Sequence, residues 1–471
     1  MTSSRDVTSH LEGIASTPVP EITRNFGTFM NPALLARMQG NNYCPTFERG
    51  EGAFVSDAAG STYLDCLSGY GAVSLGHNHP VVVAAVKWAL DTKQVNLAQA
   101  SISRWPTALA KELSCMLGST LQHSFFSNSG AEAVEAALKA ARKATGRKRI
   151  ITTENSFHGK TMGALSVTGQ PKYQEPFWPL VGEVTTIAWN YLVELERELK
   201  KGGVAALIIE PIQGEGGVVV GHADYLQEAC KLCRKYGALV IFDEIQTGFG
   251  RTGTNFRFQA VGCSPDIICL AKALGGGIAA IGATVMTDKV WQAAYGEKKD
   301  STLHTSTFGG GSIACIAALA TLKVIQDDKL ADRAAELGTW LKAELLKIQG
   351  RHPSLIQEIR GEGLMLAIEF KAQKRTFGSR LMAGATKLME GVSEEEAIAG
   401  LVARELLARG VVTAFTLNRE HIIRIAPPLI ATREELQILL DALEEILSQS
   451  TSLFQLAGGI GGVIAATHKK G

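Results

Sequence analysis

The chain has 471 residues, of which 46% are hydrophobic, enough for one large core and a smaller packed domain. Its 47 basic and 46 acidic side chains leave a net charge of +1, so nothing indicates a nucleic-acid or strongly acidic partner, and small neutral or zwitterionic ligands fit better. The N-terminus has no apolar stretch of the kind found in signal segments, so we expect none, and no apolar run reaches the roughly 18 residues of a membrane span. Eight scattered cysteines suit a reducing compartment, and we predict a cytoplasmic protein.

Helical patterns alternate with short apolar runs through the middle of the chain. The runs VAALIIE, ALVIFDE, DIICLA and IGATVMT are partly β-branched and are bounded by Gly, Pro or charged residues. Such runs suit strands buried on both faces, and their alternation with helices predicts an α/β fold with a mostly parallel central sheet. We predict that this large domain spans residues 76–325 and follows an N-terminal arm over residues 1–30.

A smaller α+β domain is predicted after Val324, where a charged helical stretch begins. It would comprise residues 326–447 together with residues 31–75, whose strand-like segments FERGEGAFVSD and STYLDCLS we expect to pack against it. Within it, an extended segment at about residues 372–400 is a candidate lid or partner contact. The last residues, 448–471, form a Gly-rich tail.

Two ionisable side chains follow predicted buried strands. Asp243 lies at the C-terminal end of ALVIFDE, just before Glu244, at the edge where open α/β sheets bind ligands. Lys272 follows DIICLA, where desolvation would lower the pKa of its amine and make it a better nucleophile. Taken singly, Asp243 could equally cap the next turn, and Lys272 could equally extend its amine into solvent.

The segment TGFGRTG offers a competing interpretation. Its glycines, Gly248, Gly250 and Gly253, match the GxGxxG pattern of dinucleotide-binding proteins. That pattern is weak alone, residues intervene between the strand and the glycines, and no clear helix opens after Gly253. A nicotinamide oxidoreductase therefore remains only a rival hypothesis.

The segment SNSGAEAVEAALK predicts a helix that begins after Ser129, with Glu132 completing a capping box. The N–H groups of Gly130 and Ala131, together with the helix dipole, would attract a phosphate. A phosphate cradle, a strand-end Asp and a desolvated Lys are together what a pyridoxal-phosphate site requires.

With these motifs in this order, the chain resembles the class III, fold-type I pyridoxal-phosphate aminotransferases over about residues 31–447. The motifs that carry the resemblance are SNSGAEAVEAALK, FHGKTMGALS, IIEPIQGEGG, VIFDEIQTGFGRTG, CLAKALGGG, HTSTFGG and RIAPPL. The resemblance implies a fold-type I transferase, the cofactor pyridoxal 5'-phosphate, small amine and keto-acid substrates, and a homodimer with a shared active site. It implies no metal.

The resemblance also implies a role for each matching residue. Lys272 would bind the cofactor covalently and move the proton between substrate and cofactor, while Asp243 would bind the pyridine nitrogen. The other implied cofactor contacts are Ser129, Gly130 and Ala131 at the phosphate, Gln246 at the 3-oxygen of the ring, Phe157 on the ring face beside His158, Glu210 close to the cofactor, and Thr307 at the phosphate of the neighbouring subunit's cofactor.

The resemblance further implies a gate that lets one pocket accept two unlike substrates. Arg424, in RIAPPL, would bind the α-carboxylate of a keto acid through its planar guanidinium. When the substrate is an amine, Glu215 would pair with Arg424 and mask its charge.

The sequence leaves the amino donor open. Lys160 stands where many relatives acting on ornithine, acetylornithine or 4-aminobutyrate have Arg, and putrescine aminotransferases resemble the chain there. Tyr70, however, matches a substrate-contacting tyrosine of ornithine aminotransferases, and Tyr43 matches a second one after a short gap. We therefore expect a putrescine-like diamine or an ornithine-like diamino acid, with 4-aminobutyrate and acetylornithine as alternatives.

Two further hypotheses differ in reaction class. An aminomutase or racemase of the same fold would work without a keto-acid acceptor. A catalytically silent binding subunit is the other hypothesis. The chain retains every residue that would bind the cofactor, which argues against it.

Overall fold

The computed structural model describes residues 4–40, 43–98, 100–371 and 394–449. Of the predicted Gly-rich tail, only residues 448 and 449 are described, and of the segment at 372–400, only residues 394–400. The rest of both segments lies outside the described residues. Within the described part of the chain, no helix is both long enough and apolar enough to cross a membrane.

The chain begins with three helices in which no described residue is buried within this subunit. They are α1 (Ser4–Ala15), α2 (Val19–Phe29) and α3 (Pro32–Gly40). Three antiparallel strands and a short helical turn follow, namely β1 (Phe47–Glu51), β2 (Phe54–Asp57), β3 (Thr62–Asp65) and α4 (Ser68–Gly71).

A long α/β region occupies the middle of the chain. Its elements are α5 (Pro80–Asp91), α6 (Arg104–Met116), β4 (Leu121–Ser127), α7 (Gly130–Thr145), β5 (Arg149–Thr153), α8 (Met162–Val167), α9 (Pro171–Gln174), β6 (Val184–Ile187), α10 (Leu192–Lys200), β7 (Val204–Ile209), β8 (Ile212–Gln213), β9 (Val219–Val220), α11 (Ala223–Lys235), β10 (Leu239–Asp243), α12 (Arg257–Val261), β11 (Ile267–Leu270), β12 (Gly282–Thr287), α13 (Asp288–Tyr295) and α14 (Ser312–Asp327).

The remaining elements alternate helices with short strands. They are α15 (Leu330–Arg351), β13 (Ile356–Glu362), β14 (Met365–Phe370), α16 (Glu394–Ala408), β15 (Val411–Val412), β16 (Ala414–Phe415), β17 (Ile422–Ile425) and α17 (Arg433–Ser448). Short 3-10 turns lie at Glu175–Phe177, Lys272–Gly275 and Lys298–Asp300.

The central sheet has seven strands in the order β4-β12-β11-β10-β7-β5-β6. Neighbours from β11 to β6 are parallel, and β12 alone runs against both of its neighbours. Every residue of β7 and β11 is buried, which explains why these strands have continuous apolar sequences. The predicted α/β fold with a mostly parallel sheet is confirmed.

The parallel strands bring the ends of distant segments to one edge of the sheet. Strands β7, β10 and β11 end at Ile209, Asp243 and Leu270, so Glu210, Asp243 and Lys272 follow one another across that edge. Ligands bind at this edge in open α/β sheets.

Two four-stranded sheets complete the fold. In the first, β15 pairs in parallel with β3, so the early strands β1–β3 join the C-terminal part of the chain. The second has the order β13-β14-β17-β16, and its pairing sets Ala367 opposite Arg424. The boundaries at residues 31, 75, 326 and 447 stay a prediction.

Candidate active site

A cavity of about 480 Å³ opens at the carboxyl edge of the central sheet. Its volume falls within the range of small-molecule sites. Ten of the residues selected from the sequence line it: Ser129, Gly130, Ala131, Phe157, His158, Glu210, Glu215, Asp243, Gln246 and Lys272. Segments more than 140 positions apart in the sequence thus meet around one space.

Asp243 forms a buried pair with His158. The Oδ2 atom of Asp243 lies 2.7 Å from Nδ1 of His158, and its Oδ1 accepts the N–H of Ile245 at 3.1 Å. The His158 side chain is fully buried. Its Nε2 has no hydrogen-bond partner among the described residues. The imidazole therefore fixes the orientation of the Asp243 carboxylate, which lines the cavity as a candidate partner for a cationic group.

Lys272 occupies a strained position directly after β11. Its φ of 46° lies in the left-handed region, which is unfavourable for a residue with a side chain. Burial is the main cause that lowers the pKa of its amine, and nearby Arg424 acts in the same direction, while Glu215 opposes both. The lower pKa increases the fraction of neutral, nucleophilic amine at a given pH.

The N-terminus of α7 borders the cavity, which Ser129, Gly130 and Ala131 line. The hydroxyl of Ser129 accepts the N–H of Glu132 at 3.2 Å, which confirms the predicted N-cap. The carboxylate of Glu132 returns to the N–H of Asn128 at 2.6 Å, not to that of Ser129, so the predicted capping box is wrong by one residue. A Cβ at Gly130 would lie 2.8 Å from the end of the Ile245 side chain, so a larger residue here would require Ile245 to shift.

Glu210 links two loops that border the cavity. Its carboxylate oxygens accept the N–H of Phe157 at 2.9 Å and the N–H of Gly214 at 3.0 Å. Burial raises the pKa of Glu210 to about 7, although its interaction with His158 and both N–H donors act to lower it. One carboxylate therefore holds both the loop of Phe157 and the loop that leads to Glu215.

The substitution Glu210→Gln is expected to flatten the pH dependence of the stability of the cofactor-free protein. Because folding raises the pKa of Glu210 from 4.5 to about 7, its contribution to stability is complete below pH 4.5 and is lost as the pH rises through 7. The change is at most on the order of 3 kcal/mol. Urea unfolding at about pH 5 and about pH 8 measures it, with the exposed substitution Glu228→Gln as the control. Equal pH dependence in Glu210→Gln and the parent protein would contradict the assignment.

Glu215 and Arg424 form a fully buried, two-pronged ion pair beside the cavity. The distances are 2.7 Å and 3.0 Å from the guanidinium nitrogens to the two carboxylate oxygens. One of these oxygens also accepts the N–H of Leu417 at 3.0 Å. Burial is the largest single influence and acts to raise the pKa of Glu215, but Arg424, Lys272 and the N–H of Leu417 together lower it. We call Glu215 and Arg424 the gate pair.

The ring of Tyr70 contacts Arg424 of the gate pair. The guanidinium of Arg424 lies 5.1 Å from the centre of the Tyr70 ring, within the range of a cation–π contact. The backbone carbonyl of Tyr70 accepts a hydrogen bond from Gln246 at 3.1 Å. Tyr70 thus contacts both the gate pair and the cavity wall, although it does not itself line the cavity.

Three selected residues lie farther from the cavity. The hydroxyl of Tyr43 donates to the carbonyl of Thr413 at 2.8 Å, and burial is the main cause that raises its pKa to about 12. The ammonium of Lys160 lies 4.6 Å from the centre of the Tyr173 ring. Thr307 is exposed and does not line the cavity.

Several lining residues had not been selected from the sequence. Some of them adjoin selected positions, and no sequence pattern marked them as functional, namely Asn128, Ile245 and Thr247. Others form the segment Gly277–Ile281, which follows Lys272. The run of three glycines at positions 275–277, the last of which begins that segment, was the available signal, because glycine permits close approach of the backbone to a ligand.

Comparisons with known proteins match almost the whole chain. The family model for class III aminotransferases matches residues 36–447. A putrescine aminotransferase from Pectobacterium atrosepticum is 38% identical over 442 residues, which cover 91% of this chain and 89% of that protein.

Solved structures agree with this match. An ornithine aminotransferase from Toxoplasma gondii, with partially occupied pyridoxal phosphate at its active site, has a TM-score of 0.79 at 29% identity and covers 94% of this chain and 97% of its own. An (S)-enantioselective omega-transaminase from Thermomicrobium roseum has a TM-score of 0.81 at 29% identity, with 93% and 100% covered.

Proposed function

The chain belongs to the class III aminotransferases, fold-type I enzymes that use pyridoxal phosphate with amine and keto-acid substrates, and on this premise we propose that it is an omega-aminotransferase. It would move a terminal amino group from a putrescine-like diamine or an ornithine-like diamino acid to a keto acid such as 2-oxoglutarate or pyruvate. The observation that carries this proposal is the gate pair, because Arg424 masked by Glu215 lets one pocket accept a substrate with or without a carboxylate.

The residues around the cavity fit pyridoxal phosphate. A carboxylate held by His158 suits the pyridine nitrogen, and the start of α7 suits a phosphate, because a helix N-terminus that lines the cavity attracts anions. We propose Lys272 as the covalent attachment, Ser129, Gly130 and Ala131 as the phosphate contacts, and Gln246 and Phe157 as the contacts to the ring. When bound, the cofactor supplies an electron sink for the substrate carbon.

The chain's own groups would perform the remaining steps. Lys272, with its lowered pKa, can accept a proton at the substrate carbon and return it to the cofactor side. Asp243 would hold the positive charge at the ring nitrogen, and His158 keeps that carboxylate oriented. Arg424 would bind the carboxylate of the keto acid after the Glu215 side chain has moved away.

The donor proposal is supported by the relatives and by the pocket wall. Both a putrescine and an ornithine aminotransferase resemble the chain. With Glu215 paired to Arg424, the wall beside Tyr70 carries no net charge from the gate pair, which suits the far end of a substrate without a carboxylate. Donors such as 4-aminobutyrate or acetylornithine remain the alternatives.

We further propose a homodimer in which Thr307 contacts the phosphate of the cofactor in the neighbouring subunit. Large apolar side chains beside it are exposed in the single subunit, with Phe308 at 63% and Leu303 at 54%. Exposed apolar groups of this size favour burial against another chain. The cytoplasmic location stays a prediction.

An absorbance experiment tests the donor. Purified protein carrying pyridoxal phosphate is mixed separately with putrescine, ornithine and 4-aminobutyrate, without a keto acid. We expect putrescine or ornithine to remove the visible band of the lysine-bound cofactor, and 2-oxoglutarate or pyruvate to restore it. Loss of the band with 4-aminobutyrate alone would refute the proposed donor. A band that no donor changes, with turnover that needs no keto acid, would indicate an aminomutase.

A further inference from the structure

Tyr70 is presented by a backbone turn that is unfavourable on its own. Four successive residues, Ser68, Gly69, Tyr70 and Gly71, have positive φ values of 50°, 56°, 59° and 89°. Glycine adopts such angles freely, but Ser68 and Tyr70 do not. Because left-handed backbone persists only where the surroundings enforce it, other groups must hold this turn in place.

Two cavities border the turn. Ala72 and Val73, at its end, line the active-site cavity. Leu67 and Gly69 line a second cavity of about 380 Å³, together with Asp65 and His77. Because part of the turn faces cavities instead of packed side chains, polar contacts contribute to holding it in place.

The strongest of these contacts come from Asp65, a buried residue at the end of β3. Its Oδ1 accepts the N–H of Leu67 at 2.9 Å and that of Ser68 at 2.8 Å, at the entrance to the turn. Its Oδ2 lies 2.8 Å from Nε2 of His77. Both carboxylate oxygens are thus engaged, one by the turn and the other by an imidazole that fixes its position.

The early hairpin contacts both the ring and the backbone of His77. A Cβ at Gly50 would lie 2.7 Å from this ring, and the backbone of His77 exchanges two hydrogen bonds with Gly52, at 2.8 Å and 3.2 Å. The early hairpin thereby fixes His77, His77 fixes Asp65, and Asp65 fixes the turn.

We propose that Asp65 and His77 form a latch that holds the turn at Ser68–Gly71 and thereby sets the affinity of the enzyme for its amine substrate. The latch touches no substrate, so both are positioning residues. They act through Tyr70, whose ring lies against Arg424 and whose carbonyl holds Gln246. The effect on amine affinity rests on the proposed function, whereas the holding of the turn by Asp65 and His77 does not.

The latch predicts a specific change in Asp65→Ala. The N–H groups of Leu67 and Ser68 lose their acceptor, so hydrogen exchange in a peptide covering residues 66–73 is expected to become faster. With Tyr70 released from Arg424, the KM for the amine donor should rise by roughly two- to thirtyfold, the range of a lost cation–π contact, while kcat changes little. Steady-state kinetics with the holoenzyme and exchange measured by mass spectrometry give the two readouts.

Two further variants separate the latch from a general structural role. Asp65→Asn can still accept both N–H groups and donate its amide to a neutral His77, so exchange and KM should return close to the parent values. Asp57→Ala is the matched control, because Oδ1 of Asp57 also accepts two backbone N–H groups, from Ala59 and Ser61, and its Oδ2 accepts the hydroxyl of Tyr63. This control should change neither the hydrogen exchange of the 66–73 peptide nor the KM for the amine.

Other outcomes are equally clear. If Asp65→Ala does not fold, His77→Ala gives the same test, since it removes only the hold on Oδ2. Parent-like exchange and KM in a folded Asp65→Ala or His77→Ala variant, or a fall in kcat with no change in KM, would overturn the latch. If the parent enzyme consumed no amine at all, the proposed function would fail, yet the exchange experiment would still decide whether Asp65 holds the turn.

Discussion

Replacing Lys272 with alanine is expected to lower the rate of amino transfer by roughly a thousandfold or more. Proton transfer by a positioned side chain alone contributes about 10²–10⁴ to a rate. The substitution also removes the amine that would attach the cofactor. The phosphate contacts at α7 and the Asp243 carboxylate would remain, so the variant should still bind pyridoxal phosphate, but without a covalent bond.

Borohydride reduction followed by mass spectrometry checks this result independently of activity. The parent protein should gain the mass of one reduced cofactor per chain, and the Lys272→Ala variant should gain none. The exposed substitution Lys139→Ala, on α7, is the matched control and should retain both the attachment and the rate. Addition of a small primary amine should partly restore the rate lost in Lys272→Ala. Parent-like turnover in this variant without added amine would refute the mechanism.

The sequence predicts these central groups well because local patterns determine where they lie. Asp243 and Lys272 each follow a continuous apolar run, and such runs form buried parallel strands whose carboxyl ends share an edge. The start of α7 was equally accessible, because a Ser before a helical pattern is a strong N-cap signal. Strand composition, however, does not encode direction, so the antiparallel β12 was not predictable from its apolar run.

Features that depend on contacts between distant segments were not found from the sequence. The turn at Ser68–Gly71 contains two non-glycine residues with positive φ, which no local preference favours. Its support by Asp65 and His77 depends on how β3 meets the loop before α5. The ion pair of Glu215 and Arg424, 209 positions apart, was expected from family resemblance alone, because no local pattern around Arg424 indicates a distant acidic partner.

Replacing Arg424 with alanine is expected to weaken use of the keto acid far more than use of the amine. Removing one partner of a buried, hydrogen-bonded charge pair costs about 2–5 kcal/mol, which corresponds to roughly thirtyfold or more in affinity. The carboxylate of the keto acid would lose the guanidinium that binds it. Glu215 would remain buried without its cation, so the free energy of unfolding should fall as well.

Replacing Glu215 with glutamine should act in the opposite direction. Arg424 would then face the cavity without a neutralising partner, so a cationic diamine should bind more weakly, whereas a keto acid no longer has to displace Glu215. Separate rates for the amine and keto-acid half-reactions measure both effects. The exposed pair of Arg433 and Glu336 provides the control, because Arg433→Ala should cost no more than about 1 kcal/mol of stability and leave both half-reactions unchanged.

These two variants together decide whether the gate pair works as a switch. A switch requires that the two substrates respond in opposite directions, since one uses the masked arginine and the other the exposed one. If Arg424→Ala and Glu215→Gln instead weaken both half-reactions equally, the pair only stabilises the pocket, and another cation must bind the keto acid. If the double variant recovers the stability lost in Arg424→Ala without recovering keto-acid use, the binding role of Arg424 is separated from its structural role.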